Sequence, residues 1–169
     1  GPLISSLTVS QKIINNNQLY ENSETIEKAA RNTRQAGMRC LNELFTALGQ
    51  NFDWNKYSNL IYVYVIQPRI TNFESENLQQ PSALLKVITS WVNFPNVLPL
   101  LYVDSHAQVM AVLKLLGNEN CKDEVVLNVL TFAHKALLLE GVNDEGYFAL
   151  VAHVVDSLLT SIPSILDRS

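Results

Sequence analysis

Cysteine, glycine, proline and histidine are all scarce in this chain of 169 residues, which has two Cys, six Gly, six Pro and three His. Cys40 and Cys121 each lie in or beside a helical pattern and at no ligand spacing, which excludes a disulfide framework and a zinc-binding set. A reducing compartment is the default. So few glycines leave little backbone for a phosphate cradle, and the chain has no Gly-rich loop, nucleophile elbow or His-Glu-x-x-His run. His106, His134 and His153 are each isolated from a second His or Cys at i+3 or i+4, so neither a metal nor any other cofactor is expected. Positive charge is also short: 12 Lys and Arg against 16 Asp and Glu give a net charge of -4. That leaves no concentrated basic footprint for nucleic acid. No unbroken apolar run approaches the roughly 20 residues of a bilayer span, since 137–139 is bracketed by Lys135 and Glu140. A soluble chain with no membrane partner is expected.

What is present is apolar and periodic. Hydrophobic residues make up 47% and charged residues 17% of the chain, a balance that argues against disorder and leaves apolar surface for an interface. The length fits one domain, burying about 70% of its unfolded surface if compact. Gly1-Pro2 reads as the scar of a cleaved tag, so residues 1–169 are expected to be a single segment of a much larger protein.

Between Thr25 and Leu48 the residues Ile26, Ala30, Thr33, Gly37, Cys40, Leu41, Leu44 and Leu48 share one side, with Lys28, Arg31, Gln35 and Arg39 opposite. This spacing predicts one long amphipathic helix with Leu44 in the core. Asn22 or Ser23 is its expected cap, Glu24 and Glu27 suit its first turn, and Gly49 its stop. A short helix around Leu3, Leu7 and Ile13-Ile14 precedes it, closed by the polar run 15–18.

The segment 57–67 is rich in β-branched and aromatic residues, but an isolated strand among helices would lack a partner for its backbone. A helix is predicted, with Tyr57, Leu60, Ile61, Tyr64 and Val65 inward, Tyr62 outward and Pro68 as its end. A polar excursion follows over 69–80. The fourth helix, 82–93, turns Leu84, Leu85, Ile88, Trp91 and Val92 inward and Lys86, Thr89 and Ser90 outward. The fifth is expected over 105–116, after a short piece interrupted by Pro99. In the sixth, opened by Asp123 and Glu124, Val126, Val129, Leu130, Ala133 and Leu137 form the stripe. The seventh, 144–160, is capped by Asn143 and ended by Pro163, with Tyr147, Val151, Val154, Val155 and Leu158 clustered and His153 and Asp156 toward solvent. The fold class is therefore all-α, with antiparallel helix pairs stacked as a HEAT- or armadillo-like α-solenoid segment. An up-down bundle is the structural rival.

None of this supplies catalytic chemistry, and no enzyme is expected. The His153–Asp156 pair could mimic a base and its orienting carboxylate, but a solvated pair is the simpler reading. The candidate partner surface is the stripe Lys28, Arg31, Gln35 and Arg39, diluted by flanking Glu24, Glu27 and Glu43, together with an outward Tyr62.

The stretch 67–91, QPRITNFESENLQQPSALLKVITSW, resembles a segment of the down-regulated-in-metastasis family, the very large HEAT-repeat scaffold of the small-subunit processome. The residues that carry this resemblance are Pro68-Arg69-Ile70, Phe73, Glu76-Asn77-Leu78-Gln79, Pro81-Ser82, Leu84-Leu85 and Trp91, followed by Leu100-Leu101-Tyr102. The resemblance implies a non-catalytic nucleolar scaffold for small ribosomal subunit biogenesis and pre-rRNA processing. Its implied partners are other ribosome assembly proteins and neighbouring repeats of the parent chain, with pre-ribosomal RNA not favoured for this acidic segment. A HEAT-type adaptor in nuclear transport or chromosome organisation is the alternative, because fold does not fix function.

Overall fold

The computed structural model describes residues 23–48 and 52–168. The expected first helix, the Asn22 cap and the Gly49 stop lie outside the described residues. Helix α1 spans Ser23–Leu48. Its buried edge is Ala30, Gly37, Met38 and Leu41, while Leu44 is 39% exposed, so the prediction of a core Leu44 is wrong. The cause lies in the packing. Helix α1 rests chiefly on one neighbour, α4, and a helix with one neighbour buries a narrow stripe, here turned toward Arg34 and Met38.

A 3-10 turn, Trp54–Tyr57, capped by Asp53, leads into α2, which is continuous over 58–70 but changes geometry twice. It is α-helical over Ser58–Ile61, π-helical over Tyr62–Ile66, and α-helical again over Gln67–Ile70. The helix passes Pro68 instead of ending there. The Gln67 N–H reaches back five residues to the Tyr62 carbonyl, and this wide turn accommodates the proline. It also shifts the helical phase: Ile61, Tyr62, Val65 and Ile66 are buried and Tyr64 is exposed, reversing the expected places of Tyr62 and Tyr64.

The excursion holds one helical turn, α3, Phe73–Glu76. Buried Asn77 pins the excursion by donating to the Phe73 carbonyl at 2.7 Å and accepting from Ser82 N–H at 2.8 Å. Helix α4, Ala83–Ser90, is capped by Ser82, whose hydroxyl accepts from Leu85 N–H. Leu84, Leu85, Ile88, Trp91 and Val92 are buried as predicted, but so is Thr89, which donates to Asn128 of α6. Helix α5, Pro99–Lys114, starts earlier than expected and breaks at Val103–His106, where Asp104, Ser105 and His106 adopt φ of 55°, 53° and 65°. Gln108 donates across the break to the Leu100 carbonyl. Helix α6 spans Asp123–Leu137 with the predicted acidic first turn, although Leu137 is exposed. Helix α7, Glu145–Leu166, is capped by Asp144, not Asn143, and runs through Pro163 to Leu166.

The architecture is all-α and solenoid-like, with no β-strand among the described residues. Helices α1, α4 and α6 pack in one row, α2, α5 and α7 in a second, and α6 closes against α7. Polar struts reinforce the first row: Ser90 of α4 donates to Asn42 of α1, and Thr89 to Asn128 of α6, both at 3.3 Å. One hydrophobic core runs the length of the stack, from Met38 through Trp91 to Val154.

Candidate functional site: a basic cleft and an apolar end face

The expected cationic stripe of α1 is divided by the structure. Gln35 and Arg39 line a cleft of about 500 Å³, joined by Arg34 and Met38 of α1, Arg69 of α2, Glu76 of α3, Lys86 and the start of α4, and Glu124 of α6. Lys28 and Arg31 lie outside it: Lys28 is exposed farther along α1, and Arg31 pairs with Glu27 one turn away. Arg69 is 5% exposed and ion-paired with Glu76. Arg34 is half-buried, and burial together with the nearby Arg69 guanidinium holds its pKa below the usual arginine value. Sequence reasoning missed Arg34, Arg69 and Lys86 as one group. Only the first of them lies on α1, and it falls beside the predicted apolar stripe; the other two arrive through the fold of 58–90.

Tyr62 is not a surface contact. The π turn carries its ring inside, 6% exposed, and its hydroxyl donates to Asp104 Oδ2 at 2.8 Å. Asp104 opens the left-handed stretch of α5, so the bond ties α2 to the break. On the far side of the break, His106 Nε2–H donates to the Gly146 carbonyl at 3.0 Å; a carbonyl only accepts, which places the proton on Nε2. The His106 ring stands 5.2 Å from Tyr102 and 5.4 Å from His153. His153 is thus half-buried against a second histidine, not paired with Asp156 in solvent. Burial, and then the Asp144 carboxylate, hold the Tyr102 phenol well above its ordinary value. These contacts tie α2, α5 and α7 together around the break.

At the end of the stack, α7 exposes Phe148, Val155, Leu159, Ile162 and Leu166, while α6 exposes Leu127 and Leu137 and is followed by exposed Leu138. The α7 residues are spaced seven, four, three and four apart, one continuous helical stripe. Leu159 is 65% and Leu166 76% exposed. By length and composition this 22-residue helix is long and apolar enough to cross a bilayer, although no unbroken apolar run in it is that long. Its opposite side is committed to the stack, where Tyr147, Leu150 and Val154 are buried, and Asp156 sits at mid-length.

The family model described as U3 small nucleolar RNA-associated protein 20, N-terminal, matches residues 1–169. The chain belongs to this family. Among its relatives, U3 small nucleolar RNA-associated protein 20 of Saccharomyces cerevisiae is 34% identical over 164 residues, 97% of this chain. The protein of the same name from Schizosaccharomyces pombe is 30% identical over 131 residues, 77% of this chain. The chain spans only 6% and 5% of the length of these two relatives. Membership of the U3 small nucleolar RNA-associated protein 20 family extends the resemblance seen over 67–91 to the whole sequence.

Proposed function

We propose that this chain is a non-catalytic scaffold segment of HEAT-type repeats, part of a nucleolar assembly factor for the small ribosomal subunit. It would act within the small-subunit processome and pre-rRNA processing, with other ribosome assembly proteins as partners. The observation that carries this reading is the two-row stack that ends in an open apolar stripe on α7. A closed domain covers such a stripe, whereas a solenoid covers it with the next repeat. Family membership and the names of the relatives support the ribosomal assignment.

The test extends the chain by roughly 40 further residues of the parent protein, about one repeat. Extension is expected to raise the urea midpoint and abolish binding of a hydrophobic dye to the α7 stripe. In cells, the tagged full-length protein is expected to retrieve U3-containing particles. Unchanged dye binding after extension would overturn the stacking reading, and absence of U3 from the retrieved material would overturn the ribosomal one.

A further inference from the structure

The chain carries net negative charge, yet four of its twelve Lys and Arg line a single cleft: Arg34, Arg39, Arg69 and Lys86. Two carboxylates face them, and Glu76 is committed to Arg69. Among the described lining residues that leaves Glu124 as the other carboxylate near Arg39 and Lys86. No ion pair to Arg39 or Lys86 is formed among the described residues. The remaining lining is neutral: Gln35, Gln80 and Ser82 are polar, and Met38, Pro81 and Ala83 apolar.

We propose that this cleft is a docking site for an acidic peptide segment of a partner protein, with one or two Asp or Glu carboxylates seated between Arg39 and Lys86. The inference goes beyond the scaffold reading, which stands or falls on α7 and not on this cleft. The charge pattern selects the ligand. A phosphodiester backbone presents a long row of negative charge, which here would meet Glu76, Glu124 and an acidic molecule beyond them. An isolated carboxylate needs only the local excess, and a guanidinium presents the planar fork that fits it. A space of about 500 Å³ is within the range that holds a few side chains and too small for a folded domain.

The experiment uses the 169-residue chain and fluorescein-labelled hexaglutamate, read by fluorescence anisotropy at low salt, with inorganic phosphate and a twelve-nucleotide oligouridine as competitors. Arg39→Glu/Lys86→Glu reverses two exposed cleft cations. Lys56→Glu/Lys122→Glu makes the same change of net charge at exposed positions outside the cleft. The cleft pair is expected to weaken binding by about tenfold or more, the control pair by less than about twofold, and added salt to weaken it throughout. Circular dichroism confirms that both variants fold. Absence of hexaglutamate binding, or an equal loss in both variants, would overturn the proposal. Oligouridine displacing the peptide at lower concentration than unlabelled hexaglutamate would overturn it in favour of an RNA site, and phosphate doing so would make it a site for small anions.

Discussion

The Tyr62 hydroxyl donates to Asp104 from a buried ring, and burial, reinforced by that carboxylate, pushes the phenol up to about 12. An unfolded tyrosine ionises near 10. The folded state therefore holds the proton more tightly: this contribution to stability is complete below about pH 10 and is lost as the pH rises from about 10 to about 12. Tyr62→Phe is expected to cost about 0.5 to 1.5 kcal/mol at pH 8 and to show a smaller further loss between pH 9 and 11 than the parent, measured by urea unfolding. Leu44 and Leu150 make a second contrast. Leu44 is 39% exposed and Leu150 fully buried, so Leu150→Ala should cost about 2 to 5 kcal/mol and Leu44→Ala less than about 1. Leu44 sits in a helix that the sequence marks clearly and Tyr62 in one that context decides, and for both the predicted side differs from the one observed. A single π turn, or the number of neighbours a helix has, rotates the buried edge, and neither leaves a mark in an apolar pattern.

At the scale of elements, the existence of the helices was legible because caps and stripes are local: Ser82 before α4, Asp123 and Glu124 opening α6, and the stripe of Val126, Val129 and Ala133. The break in α5 was not. Asp104, Ser105 and His106 take left-handed backbone without a glycine among them, a conformation that costs each residue energy and persists only where tertiary bonds hold it. Those bonds come from distant segments, Tyr62 on one side and Gly146 on the other. Gly146 is needed for close approach: a Cβ there would lie 2.4 Å from the Tyr102 ring. Gly146→Ala is therefore expected to destabilise by about 1 to 3 kcal/mol in urea unfolding, although alanine is the better helix former. His153→Ala should weaken the same joint by less, because His106 keeps its bond to the Gly146 carbonyl. The two proline assignments failed for one reason. Each proline sits where its missing N–H costs little: Pro68 just after the wide turn in α2, and Pro163 in the last turns of α7.

For the whole molecule, the two rows α1–α4–α6 and α2–α5–α7 form as the chain passes between them, and the all-α class was legible from periodicity alone. The cleft was only half legible. Gln35 and Arg39 belong to one predicted face, but Arg69 and Lys86 reach it only after the excursion folds back under Asn77. At this scale the α7 stripe decides behaviour. Leu159→Glu with Leu166→Glu should change the stability of the isolated chain by less than about 0.5 kcal/mol each, since both are exposed, but should remove the stabilisation gained on extension. That stripe also has a consequence in time. If a following repeat covers α7, as proposed above, a chain made from its N-terminus at about 5 to 20 residues per second needs about 2 to 8 seconds to supply some 40 residues of it. On that reading a helix apolar enough to suit a bilayer would stand open for the interval, and Asp156 at its midpoint is the one charge along its middle turns to discourage a wrong destination.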